Sequence, residues 1–129
     1  MSDVKMATDD TNKIIYDFMH GLYCHRCRTV WKTTYFETGN NNCDNCLYGE
    51  QVLYSESLDA IYKVLEKIKF KHHYHISVFY CIEECKWCTN FIDIAGDIIR
   101  KTYRGETMLE SILMATVDII IKKGIDLKT

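Results

Sequence analysis

Proline is missing from this 129-residue chain, so no Pro-rich linker divides it, and no other low-complexity segment stands in for one. A basic surplus is missing too: 16 Lys and Arg stand against 18 Asp and Glu, for a net charge of −2. Proteins that live on phosphate contacts need a Lys or Arg for each phosphate they neutralise. The balance therefore argues against nucleic acid as the main partner and leaves room only for a local basic face. Long apolar runs are absent as well. The most apolar stretch, Ile112–Ile121, is broken by Asp118 and falls short of the roughly 20 residues that a membrane helix needs. The first twenty residues are polar and acidic, not basic and then apolar, so no secretory signal is expected. The chain reads as intracellular, cytoplasmic or nuclear, with no membrane partner. Catalytic signatures are missing in their turn: no Gly-rich phosphate loop, no Gly-x-Ser-x-Gly elbow and no His-Glu-x-x-His pair. Glu83 and Glu84 read as a solvated turn, not as an acid–base pair. The expectation is a protein that is not an enzyme.

What is present is enough to build a core. Hydrophobic residues make up 47% of the chain, which allows one compact domain or two small lobes. Residues 1–11 carry three Asp and no apolar period, and are expected to form a flexible tail. The abundance of Ile, Lys, Asn and Tyr beside the missing proline fits an AT-rich genome, such as that of a large DNA virus. Apolar positions Ile14, Ile15, Phe18, Met19 and Leu22 predict a first helix over 12–22. Thr29–Glu37 is β-branched and aromatic, hence extended, and Gly39 with three Asn after it marks a turn. Glu50–Tyr54 suits a short strand. Ser57 is placed to cap a helix carrying Leu58, Ile61, Tyr62, Leu65 and Ile68 on one face, and His73–Tyr80 reads as a strand. Two more helices are expected, over 89–103 and 106–123. The second shows Leu109, Ile112, Leu113, Val117 and Ile120 on one side and a Lys122-Lys123-Gly124 stop. The fold class is α+β: a small zinc-stapled domain with β-hairpin knuckles and about four helices. Its parts would be the tail, a lobe over 12–54 and a second over 55–129 packed with it.

Seven cysteines carry the chemistry. In a reducing compartment they are better metal ligands than disulfides. Cys24-x2-Cys27 and Cys43-x2-Cys46 are two knuckles separated by fifteen residues, and each Cys-x-x-Cys turn aims two thiolates at one point. Together they predict a structural zinc with all four positions filled. Neither pair lies in the βαβ setting of a redox dithiol. His25, inside the first knuckle, is expected to be exposed and not a ligand. Cys81, Cys85 and Cys88 leave three thiols in want of a fourth ligand. In a strand His73, His75 and Cys81 share a face, and His75, the nearer of the two histidines, is the expected partner. That would make two zinc ions per chain, on sequential rather than interleaved ligand pairs.

The run Cys24–Tyr48 resembles a GATA-type finger: a knuckle, an aromatic-bearing hairpin, then Cys-Asp-Asn-Cys followed by Leu47 and Tyr48. The resemblance implies a four-cysteine zinc knuckle and turn, of ribbon or treble-clef plan. The short loop, the closeness of Trp31 to Cys27 and the lack of a basic tail keep sequence-specific DNA reading out of that implication. Cys81-x3-Cys85-x2-Cys88 resembles the iron–sulfur motif of radical S-adenosylmethionine enzymes. Too few residues follow Cys88 for that family's barrel, and its glycine-rich motif is absent. An interleaved ubiquitin-ligase-type arrangement is a further remote alternative. The leading expectation is a zinc-binding regulatory or adaptor protein of transcription or replication, acting through a protein partner. The alternative is a nucleic-acid-binding finger using Arg26, Arg28 and Lys32, with Trp31, Tyr35 and Phe36 to stack on bases and the basic stretch Lys63–His73 to extend it. The wide apolar face of the last helix, edged by Met108, Met114, Ile119 and Ile121, suits an oligomer or partner interface.

Overall fold

The computed structural model describes the backbone of residues 2–47 and 49–123 and the side chains of residues 10–47 and 49–121. It forms two compact units, Met1–Tyr62 and Lys63–Thr129. Among the described residues it is an α+β chain with four α-helices and two three-stranded antiparallel sheets.

The first unit opens with α1, Ser2–Met19. The helix takes in the segment expected as a tail (Met1 lies outside the described residues), because nothing there stops it. The chain has no proline, its first glycine is Gly21, and a helix anchored by one apolar face extends cheaply once nucleated. Ile15 and Phe18 are buried on that face. The helix ends where His20 turns left-handed at φ 64°, its N–H and that of Gly21 both reaching the Tyr16 carbonyl. Strand β1, Leu22–Cys24, is wholly buried. It pairs with β2, Thr29–Trp31, so that Leu22 faces Trp31 and Cys24 faces Thr29. On its other side it pairs with β3, Gln51–Val52. A Cβ at Gly21 would meet the Trp31 carbonyl oxygen at 2.4 Å, so only glycine lets these two segments close up.

The extended run expected over 29–37 stops at Trp31. Beyond it the Thr33 hydroxyl accepts the Tyr35 N–H at 3.1 Å and the Thr34 carbonyl accepts that of Thr38 at 2.8 Å. Such local bonds compete with a sheet ladder and wind Tyr35–Thr38 into a single turn, α2, closed by Gly39 at φ 79°. Buried polar groups then fasten the unit. Asn12 and Ser55 exchange two hydrogen bonds of 2.9 Å. The Tyr54 hydroxyl donates to the Gly21 carbonyl at 2.7 Å. The Gln51 amide donates to the carbonyls of Leu22 and Trp31, at 3.1 and 2.7 Å. A 3-10 turn, Tyr54–Glu56, leads into α3, Leu58–His72. Ser57 caps α3 as expected, its hydroxyl accepting the Ala60 N–H at 3.2 Å.

In the second unit β4 (His75–Cys81), β5 (Lys86–Ile92) and β6 (Ile98–Gly105) form an antiparallel meander in that order. The helix expected over 89–103 is therefore two strands and a turn. Asp93 Oδ1 accepts the N–H groups of Ala95 and Asp97, both at 3.0 Å, and Gly96 adopts φ 91°. The final helix α4, Met108–Lys123, has the expected extent; Gly124 of its stop signal lies outside the described residues. Its buried face is rotated from the expected one. Ser111, Ile112, Ala115, Thr116 and Ile119 are covered, while Leu113 and Val117 are half-buried. Small residues win the inner face because helix and strand come close: a Cβ on Gly105 would meet the Ser111 nitrogen at 2.7 Å. Thr89 and Ser111 share a buried hydroxyl hydrogen bond of 2.7 Å, which fixes β5 to α4.

Candidate metal centre

Two turns of the same shape build the site. After Cys27 the chain goes left-handed at Arg28, φ 60°, and after Cys46 it does so at Leu47, φ 66°. The Arg28 N–H closes on the Cys24 carbonyl at 2.7 Å, and the Leu47 N–H on the Cys43 carbonyl at 3.0 Å. A left-handed residue right after each pair lets the turn fold back and leaves both sulfurs on its inner side. The β1–β2 hairpin carries the first turn at its tip. The Asn42–Glu50 bridge holds the base of the second, which runs on into β3 and not into a helix, a ribbon-like plan.

The four sulfurs of Cys24, Cys27, Cys43 and Cys46 all lie within 4.8 Å of one another. Two contacts join the turns crosswise: Cys24 Sγ to Cys46 Sγ and Cys27 Sγ to Cys43 Sγ, each 3.7 Å. A tetrahedron with Zn–S bonds of 2.3 Å has edges of about 3.8 Å. The spacing is thus that of a four-thiolate zinc site, and it is wide of the ~2.05 Å of a disulfide bond. Cys24 and Cys43 are buried, and Cys27 and Cys46 are half-buried. Burial pushes the Cys24 thiol up to about 12. Cys27 goes the other way, down to about 6, led by its hydrogen bond with the Thr29 hydroxyl. A buried thiol that resists ionising without a cation, beside one that ionises readily, is an environment that a divalent metal resolves by deprotonating both.

Gly49 completes the centre, and the spacing of the cysteines gives no hint of it. Its carbonyl accepts the Cys43 N–H at 3.0 Å. A Cβ there would lie 2.6 Å from Cys24 Sγ and 3.2 Å from Cys46 Sγ. His25 is exposed, as expected, and turns toward the start of α3. Its Nε2 lies 3.4 Å from Ser57 Oγ, its Nδ1 3.9 Å from Asp59, and its ring meets Tyr23 edge to face. Arg26, Arg28 and Lys32 are exposed around the same hairpin, with Trp31 39% exposed.

The second set is not brought together. His75 pairs with Ile92 at the far end of the hairpin from Cys81, which pairs with Lys86. Six residues of strand put roughly 20 Å between His75 and Cys81, so His75 cannot complete a site with these thiols. Cys81 and Cys88 do share a face, since Cys88 sits opposite Phe79. Cys88 is buried, its thiol directed at the Lys86 carbonyl at 3.9 Å. Cys85 stands exposed in the turn at φ 55°, its thiol directed at the Ile82 carbonyl at 3.5 Å. Among the described residues, Cys24, Cys27, Cys43 and Cys46 form the one group of three or more such donors that converges. Of the two sites that the cysteine count suggested, the structure brings together one four-cysteine group. No helix among the described residues is long and apolar enough to cross a membrane. A scan of protein-family models, a search of curated proteins and a search of solved structures each found no match.

Proposed function

We propose that the protein is a non-enzymatic regulatory or adaptor domain whose first unit is stapled by a single structural zinc, and which works through a protein partner in transcription or replication. The observation that carries the zinc is the crosswise 3.7 Å sulfur spacing between two like turns. Four thiolates fill a tetrahedral zinc and leave no position for water or substrate, which favours a scaffold over a catalyst. A viral source is part of the same reading and rests on composition alone. Metal analysis of purified protein is expected to find one zinc per chain, and Cys43→Ser to lose it along with the melting transition of the first unit. Full zinc content and unchanged melting in that variant would sink the reading, while two zinc per chain would return Cys81, Cys85 and Cys88 to the ligand set.

A second reading has its own support. Arg26, Arg28 and Lys32 are all exposed around the knuckle hairpin, beside the partly open face of Trp31, a combination suited to phosphate contact and base stacking. Under this reading the protein is retained on single-stranded DNA or RNA at low salt. Neutralising Arg26, Arg28 and Lys32 together abolishes that retention, and equal elution of variant and parent would dismiss it.

A further inference from the structure

The two edges of the β4–β5–β6 sheet are built differently. β6 carries the usual defences against strand pairing. Its register with β5 shifts between Thr89 and Phe91, Arg100 is left-handed at φ 68°, and Arg100, Lys101 and Arg104 stand exposed along it. β4 carries none of these. It pairs with β5 in one continuous register from His75 to Cys81 and contains no Asp, Glu, Lys, Arg or Pro. Phe79 is 44% and Tyr80 46% exposed. Among the described residues, β4 pairs with β5 alone, and no other backbone–backbone hydrogen bond engages residues 75–81.

The flanks of the strand indicate what pairs with it. Lys69 and Lys71 precede β4 and Glu83 and Glu84 follow it, all exposed. A strand entered from a basic helix end and left through an acidic turn is complementary to its own antiparallel copy, because each basic flank then lies toward an acidic one. With a two-fold axis at Val78, the middle residue of β4, Ile76 lies opposite Tyr80, Ser77 opposite Phe79 and His75 opposite Cys81. No like charges face one another along the strand. An isologous contact requires such self-complementarity.

We infer that β4 is a homodimerisation edge, joining the sheets of two copies antiparallel about Val78 into one six-stranded sheet. Backbone hydrogen bonds supply the pairing, and the charged flanks set its direction. The inference concerns the second unit and does not rest on the zinc reading.

Sedimentation of the full zinc-loaded chain over a concentration series tests it, with hydrogen exchange read at the same concentrations. The expected result is a monomer–dimer equilibrium in which amides of residues 75–81 gain protection as concentration rises. Phe79→Lys and Glu83→Lys should each weaken the dimer by about tenfold or more. Combining Glu83→Lys with Lys71→Glu should restore it, which a mere folding defect would not allow. Met114→Lys, on the exposed side of α4, should leave it intact. A chain that sediments as a monomer throughout overturns the inference, whatever other strand the edge accepts. So does a dimer that ignores both Phe79→Lys and Glu83→Lys, or one whose concentration-dependent protection falls on α4.

Discussion

At Gly49 a single residue governs how closely the two cysteine turns can approach. A methyl group there would overlap Cys24 Sγ at 2.6 Å and the Arg26 Cβ at 2.7 Å. These atoms belong to the opposite knuckle, so one of the two turns would have to move. Gly49→Ala is expected to lower zinc affinity by about 10- to 100-fold, the range seen when groups that support metal ligands are altered. Competition against a chromophoric chelator measures it, and an affinity within twofold of the parent would show that the turns yield freely. The cysteines themselves were legible because a Cys-x-x-Cys turn is local chemistry, set by adjacent residues. Gly49 and the partners of His25 were not, since their neighbours arrive from distant parts of the chain. The left-handed Arg28 and Leu47 were also hidden, as neither residue type advertises positive φ the way glycine does.

At the scale of elements, β6 and α4 are clasped by Asp118, which accepts hydrogen bonds from the Tyr103 hydroxyl and from Arg100 Nε, the latter at 2.8 Å. Burial pushes the Asp118 carboxyl up, but these two bonds, with the nearby charges of Arg100 and Lys101, outweigh it and hold the group below its ordinary 3.8. Tyr103 moves oppositely, up to about 12, through burial and then its bond to Asp118. The stability contributed by Asp118 is therefore whole above pH ~4 and is lost as the pH falls through its lowered value. That contributed by Tyr103 is whole below pH ~10 and is lost toward pH 12. Asp118→Asn is expected to flatten the acid limb of the stability–pH curve, read from urea midpoints between pH 2 and 6 (a span of ~4 units about the carboxyl range). An acid limb identical to that of the parent would contradict the clasp. Residues 89–103, now parts of β5 and β6, read as one helix in the sequence, since Phe91, Ile92, Ala95, Ile98 and Ile99 fit a helical period as well as two strands do. The turn at Asp93–Asp97 carried the missing signal: an Asp whose carboxylate takes two N–H groups, and a glycine in left-handed conformation. Short apolar runs do not settle period by themselves.

Across the whole molecule the two units draw on different sources of order. The first sheet has strands of three, three and two residues, too short to stand on packing alone. The second has strands of seven, seven and eight residues with α4 fixed to them. Stripping zinc with a chelator is therefore expected to erase amide protection over residues 22–52 while residues 86–119 keep theirs, as hydrogen-exchange mass spectrometry would resolve. Protection lost equally in both segments would contradict this division. By itself the sequence determined the α+β class, the three long helices α1, α3 and α4 within a few residues at their inner ends, the strand β4 and the four-cysteine group. Each of these is written in local spacing, through 3.6-residue stripes, a Ser cap or paired Cys-x-x-Cys turns. Only the tertiary structure decided that His75 stands at the far end of a hairpin from Cys81, that residues 89–103 are two strands and a turn, and which face of α4 is buried. Those outcomes depend on register and close approach between segments far apart in the chain, where a shift of one residue exchanges one face of a strand for the other.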